Sequence, residues 1–293
     1  MVQGWVTKRQ GSGVIAKTQV EVGDLLFDVR LAVPRSGPTA LLLHGFPENA
    51  AMWDDIASRL AERRVRSVAP DQRGYSPGAR PTAIEAYGID ELVGDVVGIV
   101  DALGLDRVHV VGHDWGAVVA WHFAARHPER VDSLVAISVP HPRALASAMA
   151  SSQDQRERSS YVSFFRKEPE KAEELLLRND SAGLRALFRG SAVSEDEVDG
   201  FVQPLSQPGA LRAVLAWYGA AAATDAEKAG PVSVPTTYIW GEEDVAIGRD
   251  AAEACGDYVE ADFRFVPLLG VGHWVPEEQA DLVTSQLVSR IRG

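Results

Sequence analysis

The stretch "VHVVGHDWGAVVAWHFAARHP", residues 108 to 128, constrains the chain more than any other segment. An apolar run reads as a strand ending at Gly112, and a helix is expected to start near Gly116. Glycines stand two residues before and two residues after Asp114, giving the spacing G-x-D-x-G. Small flanking residues allow a sharp strand-to-helix turn that holds the central side chain clear of the sheet. Such a turn needs a buried parallel strand in front of it and a helix packed behind. Asp114 read simply as an N-cap of the following helix is the competing interpretation.

The rest of the chain supplies that context. "GVIAKTQVEVG", "LLFDVRLAV" and "TALLLHG" read as strands, the last a continuous apolar run of the fully buried kind. The period then changes. "MWDDIASRLAERR" reads as a helix, "VRSVAPD" as a strand, "IDELVGDVVGIVDALGL" as a helix closed by glycine, "GAVVAWHFAARHPERV" as a helix and "SLVAISV" as a strand. This alternation predicts an α/β fold with a mostly parallel sheet and helices on both faces. From about Pro142 to about Ala229 the chain turns helical and charge-rich, with a capping box expected at Ser194 and Glu197. Strand patterns resume in "VPTTYIWGEED" and "FRFVPLLG", and "EEQADLVTSQLVSRI" closes as a helix. Three segments are expected: core at 1–142, an inserted helical cap at 143–229, and core again at 230–293.

Composition excludes several classes of partner. The chain has 293 residues, 46% of them apolar, and its 29 basic and 41 acidic residues give a net charge of −12 with no Lys/Arg cluster, so neither nucleic acid nor an anionic membrane is an expected partner. "MVQGWVTKRQGSG" lacks the apolar core of a secretory signal, and no apolar run of about eighteen residues occurs, which predicts a soluble, cytoplasmic protein. Cys255 is the single cysteine, expected as a buried small hydrophobe, so neither an internal disulfide nor a thiolate metal site is open to this chain. The oligomeric state is not fixed by the sequence; a homodimer is a common arrangement for a soluble enzyme.

The carboxylate at position 114 narrows the chemistry. A serine attacking saturated carbon would leave an ether that water does not cleave. A carboxylate needs no base to activate it and leaves an alkyl ester, which is hydrolysable. Substrates with an electrophilic tetrahedral carbon, chiefly epoxides and alkyl halides, are therefore expected. Cleaving the ester requires an activated water, and His273 in the Gly-rich "LLGVGHWVPEE" is the candidate base. The other six histidines read differently: His109, His122 and His127 as structural, and His44, His113 and His141 as shaping the pocket border. "TTYIWGEEDVAIG" offers the orienting acid; Asp244 lies deepest in the loop, and Glu243 remains open. An oxyanion hole needs two backbone N–H donors, and Trp115, directly after the carboxylate, and Phe46, in the turn Gly45-Phe46-Pro47, are the candidates.

At this point "HGFPEN", "DQRGYSPG", "GHDWGAVVAW", "WGEED" and "GVGHW", in order across the whole chain, resemble the α/β-hydrolase fold and, within it, the epoxide hydrolases. The resemblance implies two cap tyrosines that protonate the opening oxygen; Tyr161 in "SSYVSFFRKEPEKAEE" and Tyr218 in "AVLAWYGA" stand in matching contexts, although Ala216 and Gly219 replace polar neighbours in the second. It further implies Asp114 as nucleophile, His273 as base, Asp244 as acid, and a substrate pocket bordered by His44, Pro47, His113, Trp217 and Trp274, with neither metal nor organic cofactor. Haloalkane dehalogenases share the aspartate nucleophile and are the nearest alternative. They need two N–H donors for halide, for which Trp115 and Trp217 are the candidates. Fluoroacetate dehalogenases follow their aspartate with arginine, where this chain has Trp115. A non-catalytic ligand-binding protein on the same scaffold is the third reading.

Overall fold

The computed structural model of the protein describes residues 6–10, 13–32 and 37–292. The reading of the first residues as free of an apolar leader falls in part outside them, as does Val33 at the end of an expected strand. Among the described residues one nine-stranded sheet forms the centre: β1 (Val6–Gln10), β2 (Gly13–Val22), β3 (Leu25–Ala32), β4 (Thr39–Leu43), β5 (Arg66–Pro70), β6 (Val108–His113), β7 (Val131–Ile137), β8 (Thr236–Gly241) and β9 (Phe263–Leu268). Their order is β1-β2-β3-β5-β4-β6-β7-β8-β9. β1, β2 and β3 are antiparallel, β3 meets β5 antiparallel, and every pairing from β5 through β9 is parallel.

The apolar runs occupy the middle. Every residue of β4, β6 and β8 is buried, as expected for strands covered on both faces. Parallel pairing brings the C-terminal ends of β4, β6, β7, β8 and β9 to one rim, which is where open α/β sheets present ligand sites. The helix Trp115–Arg126 behind β6 is buried almost all round, from Gly116 to Ala124, because its Ala, Val and Phe side chains face both the sheet and the neighbouring helix Ile89–Ala102. It ends at Arg126. The sequence pattern carried this helix on to Val131, but Pro128 disfavours helical backbone in the residue before it, and residues 128–130 form a separate 3-10 turn.

Between β7 and β8 the regular elements are helices, apart from an isolated bridge of Val232 to Val259. The first of these helices, Pro142–Ser151, and the last, Asp225–Ala229, pack on each other, and the first also packs on the core helix Arg249–Glu253. Between them Ser160–Lys167, Pro169–Ala186, Glu195–Leu205 and Ala210–Ala220 pack together as a lobe. The Ser194 and Glu197 capping box is formed, with Ser194 Oγ accepting from the Glu197 amide. Pro169–Ala186 is broken inside: Asn179, Asp180 and Ser181 adopt positive φ, so two helical stretches meet at a kink. No described helix is long and apolar enough to cross a membrane. Cys255 is fully buried, its sulfur accepting from the His141 amide at 3.3 Å.

Candidate active site

The turn at Asp114 is as sharp as its glycines allow. Asp114 has φ 52° and ψ −121°, and its side chain makes no capping bond to the helix that follows, so the N-cap interpretation does not describe it. A non-glycine residue in this region costs on the order of 1–3 kcal/mol and persists where its surroundings over-determine it. Here a Cβ on Gly116 would run into the Leu43 and His44 carbonyls, and one on Gly112 into the Gly116 carbonyl; the backbone closes on itself because both positions lack side chains. The Asp114 carboxylate points instead to the rim, where Oδ1 accepts from the Phe46 amide at 2.8 Å.

The loop after β4 presents that amide. The Phe46–Pro47 bond is cis. His44 fixes the loop from below: Nδ1 lies 3.0 Å from the Gly45 carbonyl and Nε2 accepts from the Gln72 amide at 3.1 Å, so the ring is neutral with its proton on Nδ1. Burial lowers the His44 pKa to about 4. His44 is fully enclosed and both its nitrogens meet backbone groups, so it supports the turn. Trp115 is the first residue of its helix, so its N–H has no partner one turn earlier in the helix.

His273 follows β9 and sits opposite. Its Nε2 is 3.7 Å from Asp114 Oδ2, and its Nδ1 is 3.1 and 3.0 Å from the two oxygens of Asp244, in the loop after β8. Asp244 is fully buried, whereas Glu243 is exposed, so of the two acids Asp244 faces the imidazole. Asp244 Oδ1 also accepts from the Ala246 and Ile247 amides at 2.8 and 3.1 Å. Burial opposes its charge, but His273, Ser138 and the Ala246 amide outweigh burial and hold its pKa below the usual value. For His273, burial favours the neutral ring; the charge and hydrogen bond of Asp244, then Asp114 and Glu48, outweigh it and raise the pKa to about 9.

Three groups that the sequence did not single out complete the surroundings. Ser138, at the end of β7, donates from Oγ to Asp244 Oδ2 at 2.5 Å and lies 2.8 Å from His273 Nδ1. Glu48, two residues after Phe46, places Oε2 2.9 Å from His113 Nδ1, while His113 Nε2 is 2.9 Å from the His273 carbonyl. A carbonyl only accepts, so the His113 proton is on Nε2 and Nδ1 is free to accept from Glu48. The carboxyl oxygens of Glu277 are also buried, near Glu48, and neither has a hydrogen-bond partner among the described residues. Burial raises both acids, Glu48 to about 7 and Glu277 well above the ordinary carboxyl value, and lowers His113. Glu48 and His113 together therefore hold the backbone of His273. His113, like His44, is fully enclosed. The position of Glu48 inside "HGFPEN" was the available sequence signal; Ser138 and Glu277 carried none.

The helical lobe brings aromatic side chains against the turn at Asp114. Tyr218 is buried, its ring 5.2 Å from Trp115 and 5.8 Å from Phe46. Tyr161 lies 6.3 Å from Tyr218, ring to ring, with its outer side exposed. Burial of the hydroxyls raises both pKa values, with Asp114 adding to each, so both tyrosines keep their protons. Phe165 packs between them, Trp274 packs on Phe188, and Pro47 is buried in the turn. Trp217 sits against Trp115, but its indole N–H is donated to the Arg73 carbonyl at 2.9 Å. His141 is not in this group: it stacks on Tyr258 and bonds to the Gly230 carbonyl at the base of the insert.

Fold and site together define a hydrolase scaffold in which a carboxylate occupies the turn tip. The model of the alpha/beta hydrolase fold family matches residues 38–280, and the chain belongs to that family. The chain is 32% identical over 279 residues to the AB hydrolase superfamily protein YfhM of Bacillus subtilis, covering 94% of this chain and 97% of that protein. It is 31% identical to epoxide hydrolase A of Mycobacterium tuberculosis, over 90% of this chain and 95% of that one. Among solved structures, one of the novel epoxide hydrolases from metagenomes of hot environments superposes with a TM-score of 0.83 at 27% identity, covering 94% of this chain and 98% of its own.

Proposed function

We propose that the protein is an epoxide hydrolase working through a covalent ester on Asp114. The observation that carries this reading is the pairing of the Asp114 carboxylate with the His273 imidazole across 3.7 Å, beneath two tyrosines that stay protonated. Asp114 attacks one carbon of the oxirane; the C–O bond of the ring breaks, and Tyr161 and Tyr218 hydrogen-bond to the leaving oxygen and protonate it. His273, oriented by Asp244, then takes a proton from water as the water oxygen attacks the ester carbonyl, with the Phe46 and Trp115 amides stabilising the oxyanion. The acyl–oxygen bond breaks, the imidazolium gives its proton to the departing alkoxide, a vicinal diol leaves, and the carboxyl formed on Asp114 returns its proton to the imidazole. The water oxygen remains on Asp114.

The high pKa of His273 fits this order of events. In the resting enzyme the charge and hydrogen bond of Asp244, with Asp114 adding to them, hold the imidazole protonated; once Asp114 becomes a neutral ester its share of that attraction is gone, and the ring passes its proton to the tyrosinate left by ring opening and becomes the base. Dehalogenation by the same nucleophile is less well supported, because the Trp217 N–H that could have held a halide is committed to Arg73. The test is His273→Gln incubated with styrene oxide and, separately, a bromoalkane, followed by intact mass. An adduct on Asp114 from the epoxide alone supports the proposal. An adduct only from the bromoalkane, with bromide released, would transfer it to dehalogenation, and no adduct from broad panels of either would favour a binding protein.

A further inference from the structure

Ser138 departs from its surroundings in two independent ways. Its backbone has φ 68°, a left-handed conformation for a non-glycine residue at the end of a buried parallel strand. That conformation is held from three sides: the Ser138 amide donates to the Ile239 carbonyl at 2.9 Å, its carbonyl accepts from the Tyr238 hydroxyl at 2.6 Å, and the Val139 amide closes on the Ile137 carbonyl at 2.9 Å. Two turns of this kind, at Asp114 after β6 and at Ser138 after β7, stand side by side on the rim. The second observation is what the turn presents. The hydroxyl is fully buried and touches both the acid and the base, at 2.5 Å from Asp244 Oδ2 and 2.8 Å from His273 Nδ1.

Donor and acceptor roles follow from the inventory of groups. Asp244 only accepts, so the Ser138 proton lies toward Oδ2 and the serine lone pairs face Nδ1–H of the imidazole. The ring proton is thereby shared among three oxygens, two from Asp244 and one from Ser138, and the carboxylate cannot rotate without breaking the serine bond. We infer that Ser138 is a positioning residue for hydrolysis of the alkyl-enzyme ester, holding Asp244 and His273 in the one arrangement that keeps Nε2 aimed at the ester. The inference rests on the proposed two-step function. It separates the two steps: Asp114 attacks without a base, so ester formation is independent of Ser138, whereas ester cleavage requires an oriented imidazole.

The experiment uses Ser138→Ala and Ser138→Gly, the second chosen because glycine accepts positive φ without strain. With styrene oxide, single-turnover quench and intact mass follow the appearance and decay of the adduct. In both variants the adduct forms at the wild-type rate and decays about ten- to a hundredfold more slowly, the loss expected for one hydrogen bond to a charged group. In the steady state kcat and KM fall together, so kcat/KM stays within about twofold of wild type. Decay at the wild-type rate overturns the inference, as does equal slowing of both steps, which marks general damage to the site. A loss in the alanine variant that glycine restores overturns it too, because the effect then lies in the strained backbone. Failure of the wild type to form any adduct on Asp114 would instead sink the proposed function, a result distinguishable from the others.

Discussion

Neutralising Asp114 without changing its shape isolates the charge that tunes the base. In Asp114→Asn the amide oxygen can still accept from the Phe46 N–H, so the turn is retained while the negative charge next to His273 disappears. Two unit charges at the observed 3.7 Å attract by about 4 kcal/mol at an effective dielectric of about 20, equivalent to roughly 3 pKa units. Both side chains keep some solvent contact, 8% for His273 and 10% for Asp114, and screening reduces the effect to about 1–3 units. The His273 pKa is therefore expected to fall from about 9 by that amount. Nitrogen-detected NMR titration of the imidazole reads this directly, with intact mass confirming that the amide has not reverted. The sign matters for catalysis. On the proposed mechanism the neutral ring is the base, so ester cleavage is expected to rise with pH through the lowered value and to level off above it, below the titration of the resting enzyme. A shift of less than half a unit, or one upward, would refute the coupling between nucleophile and base.

Other perturbations test separate parts of the structure. Tyr161→Phe and Tyr218→Phe are each expected to slow ester formation from an epoxide by about ten- to a hundredfold while leaving adduct decay unchanged, measured by single-turnover mass; wild-type formation in either variant removes that tyrosine from the reaction. Gly116→Ala places a Cβ against the Leu43 and His44 carbonyls and should cost about 1–3 kcal/mol or more, visible as a lower Tm together with loss of ester formation. Arg73→Ala breaks a buried pair, since Arg73 binds both oxygens of Asp95 at 2.6 Å, and should cost about 3–5 kcal/mol in urea unfolding. Arg249→Ala removes surface pairs to Glu242 and Glu253 and a cation–π contact with the Trp240 ring, and should cost about 1 kcal/mol.

What the sequence revealed about this fold lay in patterns local to the chain. The parallel sheet was legible because its strands are short, uniformly apolar and separated by amphipathic helices, and the turn at Asp114 because two glycines at fixed spacing leave few other conformations. The late loops were legible for the same reason, being Gly-rich ends of buried strands. What escaped was through-space. Glu48 and His113 are 65 positions apart and His113 meets the His273 carbonyl across 160, so nothing local connects them. Ser138 looked like the last residue of a strand; only the arrival of β8 and β9 beside it turns its hydroxyl toward Asp244 and His273. The helix Pro169–Ala186 illustrates the limit in another way. "PEKAEELLLRND" and "SAGLRALFRG" each read as helical, but the left-handed break between them at residues 179–181 depends on how the lobe packs.

The two helices that begin and end the insert lie against each other, so the chain leaves the sheet and returns to it at neighbouring points. Everything between those points is an insertion whose two ends share one place at the sheet. Lengthening or recasting the insertion adds little entropy cost at its closed base. If the proposed reaction holds, such remodelling would change how molecules are turned toward Asp114, while Asp244 and His273, seated on the loops after β8 and β9, are left as they were.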